Sequence, residues 1–211
     1  MYTLIVGTQD WSSWSLRPYL ALMATGAPFE LEVIRLRLEE TSRKAIAKHS
    51  PAGKVPVLKY DGITVWDSLA ICETLAERHP EAQLWPADAA LRAKARAYAS
   101  EMHSGFPAVR DQLNMDMVRR LKLPELRPET QSQIARIIAA WEGALAAHHG
   151  DFLFGKFSVA DCMYAPVVSR FTTYGVAVPE RTKAYIEKIW ALPGMQNWLA
   201  AAQKEVDAGI A

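Results

Sequence analysis

Two short runs in this sequence carry residue types that could do chemistry. The first is Ser12-Ser13-Trp14-Ser15-Leu16-Arg17-Pro18, a serine-rich loop leading into a helix. A hydroxyl held beside a helix N-terminus can donate a hydrogen bond to an anion, and the helix dipole adds to the effect. Such a pair could hold a thiol as its thiolate, with the serine staying neutral and assisting. The same residues read equally well as a capped helix start in a Ser-rich loop. The second run is Ser50 to Ser68, SPAGKVPVLKYDGITVWDS. Pro56 cannot donate to a ladder, so it lies at a strand start or an edge, and a cis bend there would leave the N–H and C=O of Val55 free to pair with an extended peptide. Asp67-Ser68 opens a helix whose free amides could hold a carboxylate while Asp67 holds an ammonium, which together fit the α-amino acid end of a ligand. Plain capping explains that pair too.

Around these runs the elements follow from periodicity and turn chemistry. Tyr2 to Val6 reads as a strand ending at Gly7. Pro18 is expected in the first turn of a helix carrying Leu20, Ala21, Met23 and Ala24 and stopping at Gly26. Phe29 to Leu36 alternates Phe29, Leu31 and Val33 against Glu30 and Glu32, the pattern of a half-buried strand. Thr41 to Lys48 reads as a short polar helix. Asp61-Gly62 between two β-rich runs predicts a two-residue hairpin turn, and Leu69, Ala70, Ile71, Cys72, Leu75 and Ala76 mark the helix after Asp67. This is the thioredoxin-like order, giving a mixed four-stranded sheet with helices on both faces. The run HPEAQLWPAD breaks the pattern. The reading is an α/β thioredoxin-like domain over 1–80, a linker over 81–88 and an all-α domain over 89–211. The helices of the second domain are expected at Ala89 to about Leu121, kinked at Gly105 and Pro107, then at about Glu129 to His149, Ser158 to Thr173, Arg181 to Ala191 and Gly194 to Val206. Ser158 and Asp161 form a capping-box variant, which assigns Asp161 to folding and not to chemistry.

SPAGKVPVL followed by VWDSLAICETLAE resembles the glutathione-binding half of the glutathione S-transferase family. SSWSLRP is similar to the SSCSxR pattern of that family's zeta class, which includes maleylacetoacetate isomerases, with Trp14 where the pattern has a cysteine. The resemblance implies glutathione as co-substrate, with Ser12 as first choice for activating its thiol and Ser13 as second. It implies Ser15 and Arg17 supporting the loop, with Ser15 at the glutathione site. Val55 would pair with the cysteinyl backbone, Pro56 would be cis, and Asp67 and Ser68 would hold the γ-glutamyl end. Lys54 would meet the glycine carboxylate, with Arg37, Arg43, Lys44 and His49 open as alternatives. A small hydrophobic electrophile would bind against Trp14 and the stretch Glu101 to Pro107, with His103 and Phe106 as contacts. The resemblance also implies a homodimer. Conjugation to the electrophile is the first reading; a glutathione-dependent cis-trans isomerisation and a non-catalytic binding role are the rivals.

Composition narrows the field. The chain has 211 residues, half of them hydrophobic, with 24 basic against 23 acidic side chains. That balance gives no reason to expect nucleic acid or a membrane surface as partner, and no apolar run approaches a spanning length. A cytoplasmic location is the expectation. No C-x-x-C and no G-x-S-x-G occurs, which disfavours thioredoxin-type redox chemistry and a serine hydrolase. Cys72 and Cys162 are expected to be buried free thiols, and the histidines show no metal spacing.

Overall fold

The computed structural model describes all 211 residues, Met1 to Ala211. Its sheet has four strands, β1 (Tyr2–Gly7), β2 (Phe29–Ile34), β3 (Val57–Tyr60) and β4 (Ile63–Trp66), in the order β2-β1-β3-β4. β1 pairs parallel with β2 and antiparallel with β3, and β3 pairs antiparallel with β4. Asp61 and Gly62 take φ of 47° and 79° at the hairpin, the positive values that a type I′ turn requires. Leu4, Val6 and Leu58 face α1 (Ser13–Thr25) and α3 (Ser68–Arg78), whereas Ile5, Ile34 and Val57 face Ile46 of α2 (Glu39–Ala47) on the other side. The expected half-burial of β2 does not hold. Leu31 and Val33 are exposed because β2 is an edge strand and the helices do not reach over these two positions, so that of this face only Phe29 packs on the main core.

Two expectations about helices are corrected. α1 begins at Ser13, so Pro18 lies in its second turn and not its first. The chain winds early because Thr8 C=O accepts from both Trp11 N and Ser12 N, at 3.2 and 2.9 Å. The long helix from Ala89 stops at Ser104 (α4, Ala89–Ser104), a six-residue α5 (Pro107–Gln112) follows, and no helix covers 113–127. Gly105 is extended, and a Cβ there would sit 2.7 Å from Glu101 O, so the break is built into the backbone. Asp116 then turns the chain by accepting from Val118 N and Arg119 N. The remaining helices are α6 (Pro128–His148), α7 (Val159–Tyr174), α8 (Glu180–Trp190) and α9 (Pro193–Asp207).

α7 is buried along nearly its whole length, and the main hydrophobic core runs from Leu4 and Leu16 through Met102 and Trp141 to Trp198 without a gap. Cys72 and Cys162 are both free and buried, and burial raises both thiols far from ionisation. Asp161 is fully buried and accepts from Leu153 N (3.1 Å), Ser158 N (2.9 Å), Ser158 Oγ (2.9 Å) and Tyr185 Oη (3.2 Å). Burial lifts this carboxyl to about 6 against the pull of those bonds. Removing it in Asp161→Ala orphans several buried donors and should cost about 3 kcal/mol or more in urea unfolding. The native chain also holds the Asp161 proton more tightly than the unfolded chain does, so this contribution is complete below about pH 4 and lost as pH rises through about 6. The stability advantage of wild type over Asp161→Asn should therefore shrink across that interval; a constant difference would contradict it.

Candidate functional site

A cleft of about 730 Å³ opens where the β1–α1 loop, the turn before β3 and the start of α3 meet. Ser12, Ser13, Trp14, Lys54, Val55, Pro56, Asp67 and Ser68 all line it, so the two runs singled out in the sequence converge on one space.

The serine loop is held by distant partners. Asp10 N donates to Glu205 Oε2 at 3.0 Å, Trp198 Nε1 donates to Gln9 O at 2.7 Å, and Met117 N donates to Asp10 Oδ1 at 2.9 Å. Burial holds the carboxyls of Asp10 and Glu205 above their ordinary values, and Asp116 adds to the rise at Asp10. Ser12, the residue before α1, donates from Oγ to Ser15 Oγ at 2.7 Å, and Ser15 Oγ also accepts from Gly7 N at 3.1 Å. Ser15 is fully buried and does not line the cleft, so its position is that of a support beneath Ser12 and not of a ligand contact. Trp14 N–H has no backbone acceptor and is a free donor at this helix end.

On the opposite wall the Val55-Pro56 peptide is cis, and neither N–H nor C=O of Val55 has a backbone partner. Asp67, at φ 73°, caps Leu69 N through Oδ1 at 2.8 Å. Its Oδ2 lies 3.2 Å from His103 Nε2. Ser68 Oγ is buried with no partner. Of the five basic residues left open for a carboxylate, Lys54 alone lines the cleft. Arg37 stacks on Trp11 at 3.9 Å, Lys44 pairs with Glu40, and His49 pairs with Glu32.

The expected electrophile wall is corrected. Phe106 is a core residue at φ 60° that does not reach the cleft, Met102 is also core, and Glu101 pairs with Arg136 at 2.8 Å. The broken helix turns this stretch inward. His103 stays near the site, but against Asp67 and edge-on to Trp14, ring centroids 5.3 Å apart. Burial lowers its imidazole below the ordinary value, Asp67 acts against that, and Arg17 and Arg110 reinforce it. Arg17 and Arg110 stack on Trp14 at 4.2 and 4.8 Å. Arg17 is fully buried with all three guanidinium nitrogens unpaired, so burial and its arginine neighbours oppose its charge. The aromatic walls Trp11 and Trp66 and the stacking Arg110 escaped the sequence reading. Trp66 next to Asp67 and Trp11 next to Ser12 were signals in plain view, whereas nothing local marks Arg110.

The family model described as "Glutathione S-transferase, N-terminal domain" matches residues 11–78, and that described as "Glutathione S-transferase, C-terminal domain" matches residues 124–207. A maleylacetoacetate isomerase of Rattus norvegicus is 30% identical over 84% of this chain and 82% of its own length. The chain belongs to the glutathione S-transferase family. A probable maleylacetoacetate isomerase of Caenorhabditis elegans is 29% identical over 74% of this chain and 73% of its own. In fold, the chain is similar to a glutathione transferase homolog from Burkholderia solved with bound glutathione, at TM-score 0.74 and 24% identity over 96% of this chain and 98% of that one.

Within this family frame, the Ser15 support has a measurable worth. Ser15→Ala leaves the buried Gly7 N–H without an acceptor and should cost about 1–3 kcal/mol, read as a lower urea midpoint at unchanged slope. An unmoved midpoint would show that the bond carries no load.

Proposed function

We propose that this protein binds glutathione in the cleft, holds its thiol as thiolate with Ser12, and delivers that thiolate to a small electrophile. The observation that carries the reading is the convergence of Ser12, Val55, cis Pro56, Asp67 and Ser68 on one cleft in a chain of this family. An extended γ-glutamyl peptide has partners along its whole length there. Val55 offers both backbone groups to the cysteinyl residue, Ser68 Oγ and the start of α3 receive the α-carboxylate, Asp67 receives the ammonium, and Lys54 receives the glycine carboxylate.

Ser12 is favoured over Ser13 by its support. Reversing the Ser12–Ser15 hydrogen bond moves no heavy atom, and it produces a chain from Gly7 N–H through the Ser15 and Ser12 hydroxyls to the sulfur. Each hydroxyl in that chain accepts one bond and donates one. Ser13 lines the cleft without such a chain behind it. A hydrogen bond to a charged group contributes about 1.5–3 kcal/mol, against about 0.3–1 kcal/mol from a helix terminus, so the serine outweighs the dipole. At 1.36 kcal/mol per pKa unit this lowers a bound thiol by about one to two units.

The curated relatives favour a second reading, in which the thiolate adds transiently to a cis double bond, permits rotation and is expelled again. Trp14 stands where the zeta pattern has a cysteine, so any such isomerisation would use glutathione sulfur alone. Maleylacetone turning over with no net loss of glutathione would favour this reading, and stoichiometric loss would favour conjugation.

The thiolate absorbance on titrating glutathione into the protein at neutral pH tests the activation step. A saturable thiolate signal is expected. Ser12→Ala should raise the bound thiol's pKa by about one to two units while glutathione still binds, and Ser13→Ala should change it little. Binding without thiolate in the wild type would instead identify a carrier, and the effect falling on Ser13→Ala would move the role one residue along.

A further inference from the structure

Asp67 is shared between the two halves of the molecule. Its Oδ1 caps α3, and its Oδ2 meets Nε2 of His103, the penultimate residue of α4. The charged groups that face His103 are Asp67 at the start of α3, Arg17 of α1 and Arg110 of α5, and Arg170 of α7 lies close to both arginines. Arg110 and Arg170 spend their donors on main-chain carbonyls, Arg17 has no hydrogen-bond partner, and no carboxylate pairs with any of the three. Asp67 is thus the one anion among these cations. His103 Nδ1 is buried without a partner, so the ring's only polar contact is the one it makes with Asp67.

We propose that the ammonium of a bound γ-glutamyl ligand and the proton of His103 compete for Asp67, so that the helical domain gates glutathione binding through this histidine. The inference rests on the reading above that Asp67 receives the ligand ammonium. One carboxylate cannot neutralise both an imidazolium and an ammonium in a neighbourhood that already holds two arginines. A neutral imidazole can donate Nε2–H to Asp67 and still leave its negative charge for the ligand ammonium, whereas a protonated one neutralises that charge. Burial together with Arg17 and Arg110 keeps His103 neutral at pH 7, which leaves the site open there. Acidification closes it. The opposite sign would require a cationic His103 to attract the ligand, and the ligand group nearest to Asp67 is itself a cation.

Calorimetric titration with glutathione between pH 5 and 7 tests this, because the ligand's own carboxyls titrate below about 4 and its amine and thiol at about 8 or above. With one linked proton, the wild-type Kd should rise by about tenfold per unit below the His103 pKa. His103→Gln keeps an amide donor for Asp67 and cannot titrate, so its Kd should be flat over the interval; His103→Asn serves as the second variant, and thermal melts show whether both are folded. Glutaryl-Cys-Gly, which lacks the ammonium, should bind the wild type without the acid-side loss. A wild-type Kd that varies less than about twofold, or a slope that persists in a folded His103→Gln protein, overturns the gate. A slope abolished by His103→Gln in a protein that forms no thiolate would sustain the gate and remove the activation reading. Absence of glutathione binding at every pH removes both.

Discussion

The structure depends on how the buried loop from Thr8 to Ser12 is satisfied. A buried main-chain amide or carbonyl without a partner is costly, and the turns of this loop use only some of its groups. Glu205 meets the amide of Asp10 and Trp198 the carbonyl of Gln9, while the amide of Met117 holds the Asp10 carboxylate; all three partners are contributed by the helical half. The serine at the end of the loop is therefore aimed by side chains that are remote in sequence. Ser15 completes the restraint from below by tying Ser12 to the end of β1. The thioredoxin-like half supplies the groups that line the cleft, and the helical half fixes their coordinates.

Charge is distributed around the cleft by the same division. Trp14 presents its ring to two guanidiniums and its edge contact to an imidazole, so a side chain expected to shape an electrophile pocket is also the packing surface for a buried cationic cluster. Cation–π contact offsets part of the desolvation of Arg17, whose nitrogens have no other partner. Leaving that charge uncompensated would be expensive, and the aromatic face with Asp67 nearby is what the chain provides against it.

Much of this was legible because the signals were local. Asp61-Gly62 encodes its hairpin, Pro56 its strand start, and Ser158 and Asp161 their capping box, whereas only the family resemblance brought the Ser12 and Asp67 runs together. Apart from the local turns that start α1 early and end α4 at Gly105, the failures share one cause, which is tertiary context. Leu31 and Val33 have the alternation of a half-buried strand, but periodicity cannot say that β2 is an edge strand whose face bearing these two residues is left uncovered. Phe106 and Met102 have the composition of an adaptable wall, but the extended Gly105 and the positive φ at Phe106 turn them into the core. His103 was found as a polar residue near the site, yet its partner Asp67 belongs to another domain and no spacing rule connects the two. Arg110 and Glu205 were invisible for the same reason.

The tie between Asp10 and Glu205 spans 195 residues of sequence, and this bears on how the protein is made. Domains tend to fold as they emerge, and synthesis proceeds at about 5–20 residues per second, so roughly 10–40 seconds separate the appearance of the serine loop from that of its clamp. During that time the nascent first domain can form its sheet and its hairpin, but its serine loop lacks the acceptor for Asp10 N and the donor for Gln9 O. The cleft is set only once α9 has left the ribosome. A half-made chain is in this sense a scaffold without a finished cleft.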